Sequence, residues 1–377
     1  MIQFVDIPAT HNAFLRDYFK ELQQLFTTCD FIGASSKTAA QFECQFAGYI
    51  GAKYAIGVAS GTDALLLPLH AVGVGPGDEV ILPAYGFIAS ADVVVRLGGR
   101  PVFIDVDPIS YNMDPARLEA AITDRTKAIM PVHLFGQACN MDPIMEIANR
   151  RGIPVIEDVA QACGAEYGGK KLGNIGAFGG FSFYPTKNLG GAGDGGAITT
   201  NDDALAEKLY KFRDHGRNKS GAFEIIGYNS RLDTIQSLYL AHKLEDLDDS
   251  IMDRIENARL YNQLFEGSEI VTPAVPDDMS HSFNLYTIRV RDRDRLQTFL
   301  REKQVATAVY YKEPMHMTPA LAGLGYKPGD FPISEKSTSE VLQLPVYPGL
   351  KKREIETVAQ LVLEFLNNNV AAIKLGR

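Results

Sequence analysis

Two periodicities alternate along the first 250 residues. Apolar positions recur at helical spacing in HNAFLRDYFKELQQLF (11–26) and in KTAAQFECQFAGYI (37–50), as in helices that bury one stripe. After them, short β-branched or aromatic runs stand at 54–58 (YAIGV), 79–82 (EVIL), 101–105 (PVFID), 128–132 (AIMPV), 154–157 (PVIE), 180–184 (GFSFY) and 196–199 (GAIT). Helical patterns fill most of the gaps: TDALLLPLHAV, ASADVVVRLG, DPARLEAAI and MDPIMEIANRR. Strands alternating with helices of this length predict an α/β fold, a mostly parallel sheet covered on both faces. The last two runs have no helix between them, which predicts that one edge is antiparallel.

From about 251 the texture changes. A long helical pattern, SIMDRIENARLYNQLF, leads into the alternating run SFNLYTIRVRD, a helix DRLQTFLREKQV and a second alternating run TAVYY. The helical pattern REIETVAQLVLEFL follows near the C-terminus. The expected organisation is a large domain over 1–250, including an N-terminal arm, and a smaller α+β domain over 251–377.

Composition narrows the function classes. With 377 residues, 46% hydrophobic and 22% charged, the chain can bury the cores of two domains. Its 37 basic and 46 acidic residues give a net charge of −9. There is no basic footprint for nucleic acid or for an anionic membrane. No stretch approaches the ~18 apolar residues of a membrane helix, so a soluble, cytoplasmic protein is expected. Cys29, Cys44, Cys139 and Cys163 show no CxxC or Cys/His spacing, so reduced thiols are expected and no metal site.

Four stretches could carry chemistry. In ASGTDALLLPL (59–69) a strand runs into Ser60-Gly61-Thr62 and a helix starts at once. This is an ordinary N-cap, or an anion cup built on free helix N–H groups. In PVIEDVAQA (154–162), Asp158 ends an apolar strand, where open α/β sheets bind ligands. It either caps the next segment or meets a ligand, and Gln161 could face the same crevice. In FSFYPTKNLGGAGDGG (181–196), Lys187 stands between a strand and a glycine-dense loop. It is a solvated loop lysine or a nucleophile. In LPAYGFIAS (82–90), Phe87 is a core ring or a platform for a planar group. Together these parts match what pyridoxal phosphate requires: an anion cup, a flat platform, a lysine for the aldehyde and a carboxylate for the ring nitrogen.

The order SGTDAL, P-x-x-x-F-I-A-S, VHLFGQ, EDVAQA, SFYPTKNLG–GDGG and GYNSRLDTIQ resembles the DegT/DnrJ/EryC1/StrS family of sugar aminotransferases, from about residue 28 into the C-terminal domain. The resemblance implies the type I, aspartate-aminotransferase-like fold with a seven-stranded sheet, and a homodimer whose active sites lie at the subunit interface. It implies pyridoxal 5'-phosphate as cofactor, passing through pyridoxamine 5'-phosphate. Carried over by motif, Lys187 is the Schiff-base lysine and Asp158 the partner of the ring nitrogen. Gln161 lies near the ring hydroxyl; Gly61, Thr62 and Ser182 form the phosphate cup; Phe87 stacks. Asn229 is the residue that the neighbouring subunit sends to the phosphate. Arg231, in the same intersubunit segment, and Tyr311 and His316 are implied to face the substrate.

Two positions depart from the pattern: Gly86, where Thr or Ser is usual, and Tyr310, where His is common. Lys187 disfavours the dehydratase variant of the family, which lacks it. The implied reaction moves an amino group from L-glutamate to a dTDP- or UDP-linked keto-sugar, for amino-sugar and polysaccharide biosynthesis. The form N-S-R-L-D-T-I-Q leans to the 3-keto carbon. The alternatives are a 4-keto-sugar aminotransferase, another enzyme on the same fold, and a cofactor-binding sensor or scaffold without turnover.

Overall fold

The computed structural model describes residues 1–7, 14–31 and 36–374. Residues 11–13 of the first predicted helix lie outside that range. Helices α1 (Leu15–Thr28) and α2 (Lys37–Ile50) lead to β1 (Tyr54–Val58), α3 (Gly61–Ala71), β2 (Glu79–Pro83), α4 (Ala89–Arg96) and β3 (Arg100–Ile104). Then come α5 (Leu118–Ala121), β4 (Thr126–Ile129), α6 (Met141–Arg151) and β5 (Ile156–Asp158). A small hairpin, β6 (Glu166–Tyr167) and β7 (Lys170–Lys171), precedes β8 (Phe178–Ser182), β9 (Gly196–Thr200) and α7 (Asp203–Arg213).

Strands β3, β2 and β4 pair in parallel in that order. Single parallel bridges, Ile129 to Val155 and Val132 to Asp158, tie β4 to β5. From β5 the sheet continues through β8 and β9 to β1. The alternation of burial shows why both faces are covered. On β1, Ala55 joins the core formed with Phe42, Phe46 and Ile50 of α2, while Ile56 joins Leu65, Leu67 and Leu69 of α3. On β2, Ile81 faces the first core, and Val80 and Leu82 the second.

The antiparallel strand is not at an edge. β9 pairs antiparallel with β8 on one side and with β1 on the other. The loop between 183 and 195 reverses the chain and lays β9 along β8, and β1 occupies the far edge. A periodicity read along one chain does not reveal which strand closes a sheet.

Helices α8 (Thr234–Glu245) and α9 (Leu247–Phe265) lead to β10 (Tyr286–Arg289), α10 (Arg293–Glu302), α11 (Pro332–Glu340), β11 (Val341–Leu344) and α12 (Lys352–Lys374). Their core gathers Tyr261, Phe265, Tyr286, Leu296, Leu344, Val358 and Val362. Burying each such side chain stabilises by about 1.5–3 kcal/mol. The run TAVYY is not a strand: only Ala308 bridges Gln343. The partner of β10 is β11, antiparallel over Tyr286–Leu344 to Arg289–Val341. The first residues pack on this layer too, since Ile2 N–H donates to Gln304 O (2.9 Å) and Ala306 N–H to Ile2 O (3.0 Å). No helix of the described residues is long and apolar enough to cross a membrane.

Candidate active site

Because β9 is antiparallel to both neighbours, β1 runs in the same direction as β8, β5, β4 and β2. Their carboxyl ends therefore open on one side of the sheet, where ligands bind in such folds. A cavity of about 520 Å³ lies there. It is lined by Gly61 and Thr62 after β1, Phe87 after β2, Asp158 and Gln161 at the end of β5, Ser182 at the end of β8, and by Lys187 and Tyr311.

The turn into α3 is built for an anion. Ser60 caps the helix, its hydroxyl accepting from Asp63 N–H at 3.1 Å. Ala64 N–H donates to Ser60 O at 3.0 Å, while among the described residues Gly61 and Thr62 N–H have no acceptor. A Cβ on Gly61 would fall 2.5 Å from Ser182 Cβ and 2.8 Å from its hydroxyl oxygen. Only glycine lets the helix start press against Ser182, which brings two free N–H groups and one hydroxyl to the same end of the cavity.

Asp158 and Glu157 are adjacent on β5 and face opposite ways, as strand periodicity demands. Glu157 is fully buried and accepts from Gly173, Ile175 and Gly176 N–H at 2.8–2.9 Å. Asp158 faces the cavity, and its Oδ2 accepts from Ser90 Oγ at 2.8 Å. Its Oδ1 accepts from Ala160 N–H at 3.1 Å, so it also caps its own turn. Burial raises the Asp158 carboxyl above its usual range, against the pull of Ser90, Ala160 and Lys187. Gln161 is fixed at both ends: its Oε1 accepts from Phe135 N–H and its Nε2 donates to Tyr311 OH, each at 2.8 Å. Phe87 is 55% exposed and tilted 32° against Tyr311, so it is a ring at the cavity wall rather than in the core.

Lys187 is half-buried at the cavity wall, and its loop is held by Lys187 N–H to Tyr184 O at 2.9 Å. Among the described residues its amine has no hydrogen-bond partner. Burial pushes it down to about 8, with the Asp158 charge opposing. An amine with such a value is available as a nucleophile near neutral pH. A lysine with these surroundings is not a solvated loop residue.

The parts found here fit pyridoxal phosphate: free donors at the Gly61 turn for a phosphate, an amine for an aldehyde, and a buried carboxylate for a ring nitrogen. Three of the implied residues do not line the cavity of their own chain. Asn229 is exposed, outside the cavity of its own chain. Arg231 forms an ion pair with Asp214. His316 is buried; its Nε2 lies 3.2 Å from Glu335 and its ring packs on Phe331, which turns it away from the cavity. Sequence reasoning missed Ser90, Arg254 and Asn284. Ser90 carried no signal beyond its motif. Arg254 did: it is the one charged position on the buried stripe Ile251, Arg254, Ala258, Tyr261, Phe265 of α9.

The family model described as "DegT/DnrJ/EryC1/StrS aminotransferase family" matches residues 18–363. A "pleiotropic regulatory protein" of Geobacillus stearothermophilus is 48% identical over 86% of this chain and 88% of its own. The UDP-2-acetamido-2-deoxy-3-oxo-D-glucuronate aminotransferase of Pseudomonas aeruginosa is 40% identical over 95% of this chain and 98% of its own. The crystal structure of S. venezuelae DesV in complex with a ketimine intermediate superposes with a TM-score of 0.93 at 36% identity, covering 97% and 98% of the two chains. The chain belongs to the DegT/DnrJ/EryC1/StrS family of pyridoxal-phosphate-dependent aminotransferases.

Proposed function

We propose that this aminotransferase moves an amino group from L-glutamate to the 3-keto carbon of a nucleotide-linked sugar, working as a homodimer. The observation that carries the reading is the convergence on one cavity of a buried Asp158 and a Lys187 amine that has no partner among the described residues. When bound, the cofactor supplies an aldehyde and an electron-accepting ring that hold the amino group between donor and acceptor. Gly61, Thr62 and Ser182 would take its phosphate, and Phe87 would cover one face of its ring. Asp158, kept in place by Ser90, would hold a proton on the ring nitrogen.

The Lys187 amine would hold the cofactor's aldehyde when the cofactor is bound, and once released it would serve as the base that takes the donor's α-proton. In the second half the same amine would return a proton to the sugar carbon that receives nitrogen. The 3-position is supported by the relative whose name specifies a 3-oxo sugar and by the R-L-D-T-I-Q form of the sequence. A dimer is supported by Asn229, whose motif points to a phosphate that its own cavity does not let it reach. The exposed Phe223 and Ile226 beside it are apolar surface suited to burial.

The regulatory name of one relative favours a second reading, a cofactor-bound regulator without turnover. Absorbance separates the two. Wild-type protein should show a band near ~400 nm that depends on Lys187, and glutamate should bleach it. Nucleotide 3-keto-sugars should restore the band and 4-keto-sugars should not. A band indifferent to glutamate favours the regulator, and a protein that takes up no cofactor excludes both.

A further inference from the structure

Arg254 sits where α9 should be apolar. It is 8% exposed, and it is bracketed on its stripe by Ile251 and Ala258. A buried charge is unfavourable unless an opposite charge or a full set of hydrogen bonds meets it. Here Nη1 donates to the carbonyl oxygens of Phe283 and Asn284, at 3.2 and 3.5 Å. Among the described residues no carboxylate forms an ion pair with it. A guanidinium has five N–H groups, and among the described residues Nε and Nη2 have no acceptor.

Arg254 belongs to the wall of the cavity of Lys187. Arg254 lines both the main cavity and an adjoining recess, and Thr186 and Lys187 line both as well. Lys243, a second half-buried cation, lines the recess together with Asp6. Burial lowers the Lys243 amine to about 8, and the Arg254 charge adds to this. A polar atom lies beside them: Asn284, 7% exposed and lining the cavity, has its Oδ1 buried without a partner among the described residues. Two unmatched groups of complementary type, a fork of donors and a single acceptor, stand at one wall.

We propose that Arg254 and Asn284 form the carboxylate-binding wall of the site. The free edge of the guanidinium takes a carboxylate of the reacting molecule through two parallel hydrogen bonds, and Asn284 Oδ1 accepts from a neighbouring N–H or O–H. The inference rests on the aminotransferase reading and deepens it. The carboxylate has two sources: the amino-acid donor, or a uronic-acid sugar such as the one named for the Pseudomonas relative.

The test is calorimetric binding to the cofactor-loaded protein, wild type, Arg254→Gln and Arg254→Lys. One probe is glutarate, which has the donor's two carboxylates and no amine to react. The other is the pair UDP-glucuronate and UDP-glucose. If the donor supplies the carboxylate, Arg254→Gln should weaken glutarate binding about 100-fold, the worth of a charged hydrogen-bonded pair, and leave both sugars unchanged. If the sugar supplies it, the variant should abolish the preference for UDP-glucuronate and spare glutarate. Should Arg254→Gln not fold, Arg254→Lys keeps the charge without the fork and is expected to lose about 10-fold. Wild-type affinities in both variants would overturn the proposal. A wild-type protein that binds glutarate but takes up no pyridoxal phosphate would instead overturn the aminotransferase reading.

Discussion

Ser90 Oγ donates to Asp158 Oδ2 at 2.8 Å, joining the first turn of α4 to the end of β5 across the sheet. Asp158 is 6% exposed, and burial raises its carboxyl while Ser90 lowers it. The serine therefore acts through the aspartate, opposing that rise and holding the carboxylate toward the cavity.

Replacing Ser90 by Ala removes a hydrogen bond to a charged acceptor, worth about 1.5–3 kcal/mol. The Asp158 carboxyl then rises further, so the acid limb of the glutamate half-reaction should move to higher pH. Above that limb the rate should fall on the order of 10-fold, because an unanchored carboxylate holds the ring proton less well. Stopped-flow bleaching across pH measures both. A lower rate with an unmoved limb would mean that Ser90 merely packs.

Lys187 gives the second expectation. Its amine is lowered to about 8 by burial, with the charge of Asp158 holding it up. Uptake of pyridoxal phosphate by apoprotein requires the unprotonated amine, so the uptake rate should climb with pH and level off above 8. Asp158→Asn removes the opposing charge, and the inflection should drop below that of wild type. An inflection near the ordinary lysine value of about 10.4 would show that the amine is solvated in the apoprotein.

The sheet and several cavity-lining residues were legible because strand ends carry both structure and chemistry. Asp158, Ser182 and Phe87 each follow an apolar run, so one pattern located the strand and the residue it presents. What escaped depends on contacts far apart in sequence. The interior place of β9 is fixed by pairing with β1, more than a hundred residues earlier. β11 pairs with β10 but reads as a short apolar run after a helix, while TAVYY alternates and forms one bridge. His316 looked like a site residue by motif alone, and Glu335 and Phe331 hold it in the interior.

Two glycines near the site should answer oppositely to the same change. A Cβ on Gly61 meets Ser182 Cβ at 2.5 Å, whereas on Gly86 its nearest neighbour is Met315 Cε at 3.5 Å, an ordinary contact. Gly61→Ala should cost about 1–3 kcal/mol through forced displacement and weaken phosphate and cofactor binding. Gly86→Ala should be neutral or stabilising by up to about 1 kcal/mol. Urea unfolding of the two apoproteins decides it. A destabilised Gly86→Ala would mean that the backbone there needs the freedom of glycine.

The placement of Asn229 makes a shared site testable in hybrids. Its neighbour Ser230 is buried and donates to Asp63 of α3 at 2.7 Å, while Asn229 points out of the chain. If Asn229 serves the phosphate of the other protomer, Lys187→Ala and Asn229→Ala proteins should each be nearly inactive alone. Mixed and reassembled, half the dimers pair one of each. In such a hybrid the Asn229→Ala protomer keeps Lys187 and receives Asn229 from its partner, so one site in two is whole. The mixture should then recover about a quarter of wild-type activity. If Asn229 served its own chain, neither site of the hybrid would be complete, and mixing would recover nothing.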